Sequence, residues 1–103
     1  MPKKVYASIE VEVDEEGYMV DMKQWTPEIA EAIAGELGIS LTDRHWEVIN
    51  FLREKAEKGE SLTLRKLGKT GPVPIKELYQ LFPNGPLKKA AKIAGLPKPR
   101  GCV

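Results

Sequence analysis

One cysteine and one histidine in 103 residues leave little room for several kinds of chemistry. A lone cysteine cannot close an internal disulfide, and one Cys with one His cannot assemble a structural zinc site, so neither a metal nor a cofactor is expected. The sequence also lacks any apolar run near the ~20 residues that a bilayer crossing needs. Its opening segment, MPKKVYASIEVEVDEE, turns acidic where a signal peptide would carry its apolar stretch, so the expected location is the cytoplasm with no membrane partner. Internal repeats and low-complexity segments are missing as well. A chain this short buries one modest core, which sets the domain organisation at a single domain over 1–103.

What is present is unevenly distributed. Residues 1–51 hold four Lys/Arg against eleven Asp/Glu, and residues 52–103 hold twelve against four, so a net charge of +1 conceals an acidic half at −7 and a basic half at +8. A basic C-terminal half points to an anionic partner, either an acidic protein face or a nucleic acid.

Val5, Ala7, Ile9, Val11 and Val13 alternate with Tyr6, Ser8, Glu10 and Glu12, the period of a half-buried strand. Asp14-Glu15-Glu16-Gly17 supplies turn chemistry and Tyr18-Met19-Val20 can pair back, which predicts a β-hairpin within 1–22. Thr26-Pro27-Glu28 is a helix start, with Ile29, Ile33 and Leu37 following at four-residue spacing and Gly38 ending the helix. Thr42 opens a second and longest helix, expected to be the spine of the core, on which Trp46, Ile49, Leu52 and Ala56 form one stripe up to Gly59. A short helix over 61–69, a break at Thr70-Gly71-Pro72, a helix from Pro74, and a last helix from Pro86 to Gly95 complete a helical bundle over 26–95. Trp25, Trp46, Tyr79 and Phe82 are read as core anchors. The predicted class is α+β, mainly helical: an orthogonal helical bundle with a helix-turn-helix-like portion, an N-terminal β-hairpin and an extended, flexible C-terminal arm.

That arm, 96–103, ends AGLPKPRGCV and carries the single cysteine next to last. Two prolines in four residues stop the helix, and seven steps from Gly95 to Cys102 give a reach of about 20 Å. An exposed thiol is an oxidation hazard, so its place at the most accessible point of the chain argues for use. Gly101 has no side chain to hinder entry into a narrow cleft, and Pro97 and Pro99 lower the entropy lost on insertion. At an ordinary pKa of about 8.5 only a small fraction is thiolate at neutral pH. Lys98 and Arg100 would raise that fraction, and the Val103 carboxylate would oppose them. His45 is assigned a structural or surface role.

The run LYQLFPNGPLKKAAKIAGLPKPRGCV, with HWEVINFLRE and VDEEGYMVD upstream, resembles the DsrC/TusE family, which includes the gamma protein of dissimilatory sulfite reductase and its sulfur-relay relatives. The resemblance implies that Cys102 carries sulfur as a persulfide on a mobile arm. Lys88, Lys89 and Lys92 cluster on the last helix beside the arm residues Lys98, Arg100 and Gly101, and with Arg65, which matches a recurring family arginine, they make an expected partner-docking surface. Sulfite-reductase members carry a second cysteine eleven positions upstream of the penultimate one, where this chain has Ala91. An intramolecular disulfide or trisulfide is therefore out of reach.

Three readings follow. The first is a single-thiol, TusE-like carrier, a relay component more than a stand-alone enzyme. It would take sulfur from a persulfide-carrying sulfurtransferase and pass it to a tRNA-thiolating enzyme or a sulfite reductase, working as a monomer. The second is a docking or regulatory subunit of a sulfite reductase. The third is a DNA-binding regulator built on residues 61–82, disfavoured because PIKELYQLF offers only Lys76, Glu77, Tyr79 and Gln80 as polar readers.

Overall fold

The computed structural model describes residues 2–60 and 62–99. Two short strands, β1 (Lys3–Tyr6) and β2 (Ile9–Glu12), pair antiparallel with Lys3 opposite Glu12 and Tyr6 opposite Ile9. The strand predicted over 5–13 therefore folds back in its own middle. Ala7 and Ser8 take left-handed backbone angles (φ 52° and 67°), the geometry of a tight primed turn, without the Asn-Gly or Asp-Gly dipeptide that would announce it. The expected turn at Asp14–Gly17 also forms, but it closes only a single bridge between Val13 and Met19. Tyr6, Val11, Val13 and Met19 are buried, whereas Val5 faces solvent.

A 3₁₀ turn, Met22–Gln24, leads into α1 (Pro27–Glu36). The Thr26 hydroxyl accepts the Ile29 N–H and Pro27 fills the first helical position, as its fixed φ and missing N–H favour. α2 (Asp43–Glu57) follows, then α3 (Leu64–Thr70), capped by Thr63, then α4 (Ile75–Leu81), with Pro74 at its N-cap, and α5 (Pro86–Ile93). The third helix starts later than the 61 expected from sequence, and Pro74 precedes the fourth instead of opening it.

The buried face of α2 is His45, Val48, Ile49 and Leu52, with Trp46 and Ala56 at its partly covered edges, so the true stripe is rotated from the predicted one. α2 is the longest helix, but the element that touches most others is α5, which packs on α1, α2 and α4. Leu87, Ala90, Ala91 and Ile93 of α5 are all buried. Phe82 is fully buried and anchors the core as expected, Trp25 and Trp46 are partly buried, and Tyr79 is 52% exposed. Tyr79 is thus not a core residue: Leu78, its neighbour on α4, takes the inward position.

Candidate functional site

The site is built around the point where the chain leaves α5. Burial of Ile93 and Ala94 against α1 and α2 brings the last turn of that helix under Trp25 and Arg53, two residues far away in sequence. The Trp25 indole N–H donates to the Ile93 carbonyl at 2.8 Å. Arg53 donates to the Ala94 carbonyl at 2.8 Å and to the Met22 carbonyl at 3.1 Å, and its guanidinium lies 4.1 Å from the Trp25 ring centroid. These donors satisfy two carbonyls that a helix end leaves without partners. Burial lowers the Arg53 pKa, and the two carbonyls and the ring face offset the loss of water around the cation. Gly95 follows at φ +72°, and a Cβ there would sit 2.6 Å from Trp25 Cγ. Glycine is required at this position both by backbone angle and by space.

Residues 96–99 follow without regular secondary structure, as the two prolines demand, but they are held against the body. Leu96 is buried and its N–H donates to the Ala91 carbonyl at 3.0 Å. Leu96, Pro97 and Pro99 border a groove of about 370 Å³ whose floor includes Leu52, Leu87 and Ala91. Ala91 therefore lines the groove beside the arm root.

Lys98 reaches back to the acidic turn of the hairpin and pairs with Glu16 at 2.7 Å. That hydrogen bond raises the Lys98 pKa. The pair ties the arm root to the hairpin turn at the surface. Lys92 lies over the Tyr18 ring at 5.2 Å from its centroid, and burial followed by the Glu16 charge pushes the Tyr18 hydroxyl above its usual pKa. Lys88 is exposed and Lys89 half-buried on α5. Arg65 is exposed on α3 and, among the described residues, makes no ion pair with the arm root. Arg100, Gly101 and Cys102 lie outside the described residues. Among the described residues no cluster of His, Cys, Asp and Glu could hold a metal ion.

His45 is occupied on both ring nitrogens. The Thr42 N–H donates to Nδ1 at 3.1 Å, so Nδ1 is the bare nitrogen and Nε2–H donates to the Leu81 carbonyl at 2.8 Å. The ring also meets Phe82 edge-on at 5.0 Å. This is the structural role expected of it, tying the start of α2 to the end of α4. Trp25, Arg53 and Gly95 were missed as a functional group, since each alone reads as an aromatic anchor, a surface cation and a helix stop.

A family model described as DsrC like protein matches residues 5–103. The chain is 42% identical over 107 residues to the sulfurtransferase TusE of Escherichia coli strain K12, covering 96% of this chain and 98% of that one. Among solved structures it is similar to the NMR structure of Allochromatium vinosum DsrC, with a TM-score of 0.84 and 39% identity over 98% of this chain and 97% of that one. It is likewise similar to the oxidized gamma-subunit of dissimilatory sulfite reductase from Archaeoglobus fulgidus, with a TM-score of 0.83 and 38% identity over 99% and 100% of the two chains.

Proposed function

Because this chain belongs to the DsrC-like protein family, we propose that it works as a sulfur carrier of the TusE kind, accepting sulfur as a persulfide on Cys102 and handing it to a protein acceptor. The observation that carries this reading is the 42% identity to TusE over nearly the whole of both chains.

The chemistry needs only one thiol. Cys102, as thiolate, attacks the outer sulfur of a donor persulfide; its S–S bond forms as the donor S–S bond breaks, and the donor cysteine leaves as thiolate and takes up a proton. No electrons change hands overall, so no external oxidant is needed. Transfer to the acceptor is the same displacement in the opposite sense, with Cys102 as leaving group. The protein's part is presentation. Trp25, Arg53 and Gly95 fix where the arm starts, and the Leu96 and Lys98 contacts hold its first residues on the body. Three chain steps lead from Pro99 to Cys102, a span of at most about 11 Å. Partners must therefore approach the body closely to meet the sulfur.

Ala91 favours this relay over the sulfite-reductase alternative. A methyl group borders the groove where a second sulfur would stand, so the two-sulfur cycle has no second partner. Among the described residues no helix is long and apolar enough to cross a membrane, and we place the protein in the cytoplasm, acting as a monomer between a protein donor and a protein acceptor such as a tRNA-thiolating enzyme.

Intact mass spectrometry after incubation with a persulfide-loaded sulfurtransferase tests the reading. Wild type is expected to gain one sulfur, about 32 Da, reversible by dithiothreitol, and Cys102→Ser to gain none. Equal loading of both, or loading of neither, overturns Cys102 as the acceptor.

A further inference from the structure

Among the described residues five large apolar side chains are exposed, and two of them, Ile75 at 43% and Tyr79 at 52%, stand one helical turn apart on the same face of α4. The others do not form such a pair: Val5 and Ile9 sit on opposite faces of the hairpin, since Val5 pairs with Glu10 and Ile9 with Tyr6, and Val20 lies alone in a loop. The α4 pair is set in place by the core beneath it. Leu67 of α3 and Leu78 of α4 are fully buried, and Gly68 lets the two helices touch, since a Cβ there would lie 2.9 Å from Ile75 Cβ. Burial of Leu78 leaves Tyr79 no inward direction, so its exposure follows from the packing.

The charges around this pair carry one sign. Arg65, Lys66, Lys69 and Lys76 are all exposed, and among the described residues none is in an ion pair. The only acid on either helix, Glu77, is turned to α2, where Arg44 holds both its oxygens at 2.7 Å. An apolar centre with an uncompensated cationic rim is the complement of an acidic, apolar-centred protein face.

We propose that the α3–α4 face is a docking surface for an acidic protein partner, separate from the arm, and that the partner is the protein that loads Cys102. The second half of this statement rests on the carrier reading. A β-branched aliphatic and a tyrosine at the centre favour a protein over a nucleic acid, because Ile75 offers a base or a phosphate nothing to bond. Two seven-residue helices give a small contact, suited to a brief encounter whose rate depends on salt. Docking on this face holds the donor at the body while the arm delivers the thiol, which relieves the arm of supplying affinity.

The test uses the persulfide-loaded sulfurtransferase of the loading assay, with inorganic polysulfide as a donor that needs no docking. The paired variant Ile75→Ser with Tyr79→Ser, and the charge variant Arg65→Glu with Lys69→Glu and Lys76→Glu, are compared with wild type. Both are expected to raise KM for the protein donor by about tenfold or more, the charge variant also flattening its salt dependence, with polysulfide loading unchanged. In a Cys102→Ser background, where no transfer occurs, the same variants should weaken the Kd for the donor by a similar factor. Unchanged KM and Kd overturn the docking surface. So does an unchanged Kd for the donor combined with lost binding of a labelled tRNA, which would make the face a nucleic-acid site. If wild-type Cys102 accepts sulfur from neither donor, the carrier reading falls, and the Kd comparison still decides the docking surface by itself.

Discussion

A single methyl group at Gly95 would collide with the Trp25 ring and force an L-residue to φ +72°. Gly95→Ala is therefore expected to cost about 2–4 kcal/mol in urea unfolding, more than the left-handed backbone alone, because neither the ring nor the helix end has room to yield. Trp25→Phe isolates one bond of the same clamp. It leaves the Ile93 carbonyl without the indole donor, and a loss of about 1–3 kcal/mol with an unchanged mass of loaded sulfur is expected. A stability loss accompanied by loss of loading would mean that the clamp also acts on the thiol.

Between elements, the polar ties are open to pH and to truncation. The Arg44 guanidinium beside Glu77 holds that carboxyl below its ordinary value of 4.5. A folded-state pKa lowered in this way contributes stability that is present above the unfolded value and lost as pH falls through the folded one. Wild type should thus exceed Glu77→Gln in thermal midpoint at pH 7, and the gap should close as pH falls well below 4.5; a gap that persists in acid would show that the substitution disturbs something other than this pair. His45→Ala should cost about 2–4 kcal/mol, because the Thr42 N–H and the Leu81 carbonyl lose their partner and Phe82 loses its edge contact, while sulfur loading survives. The helices themselves were legible because their signals are local: Thr26 and Pro27 start α1, and Pro86 starts α5. The Ala7–Ser8 turn was not, since neither residue type announces a left-handed backbone and the apolar alternation runs straight through it. Tyr79 was misplaced for a related reason: residue type suggests burial, but only the packing of Leu78 decides which side of α4 faces the core.

Across the whole molecule, the acidic and basic halves of the sequence meet at the arm root, where Glu16 of the hairpin turn pairs with Lys98. The family was legible in the C-terminal run from Leu78 onward, because the residues that carry the resemblance are contiguous in sequence. What holds the arm was hidden, since Trp25, Arg53 and Gly95 converge only through tertiary packing. The basic C-terminal half likewise resolves into parts: Lys92 and Lys98 have partners inside the molecule, and the α3–α4 cations have none among the described residues. Passage of sulfur through the protein is measured by a pulse and chase of labelled sulfur. The protein is loaded with ³⁵S from a persulfide donor, freed of that donor, and mixed with a tRNA-thiolating enzyme bearing a free acceptor thiol. Carriage predicts that label leaves Cys102 and arrives on the enzyme in equal amount, as a dithiothreitol-sensitive persulfide. Label that stays on Cys102, or departs as sulfide at the same rate with no acceptor present, would contradict it.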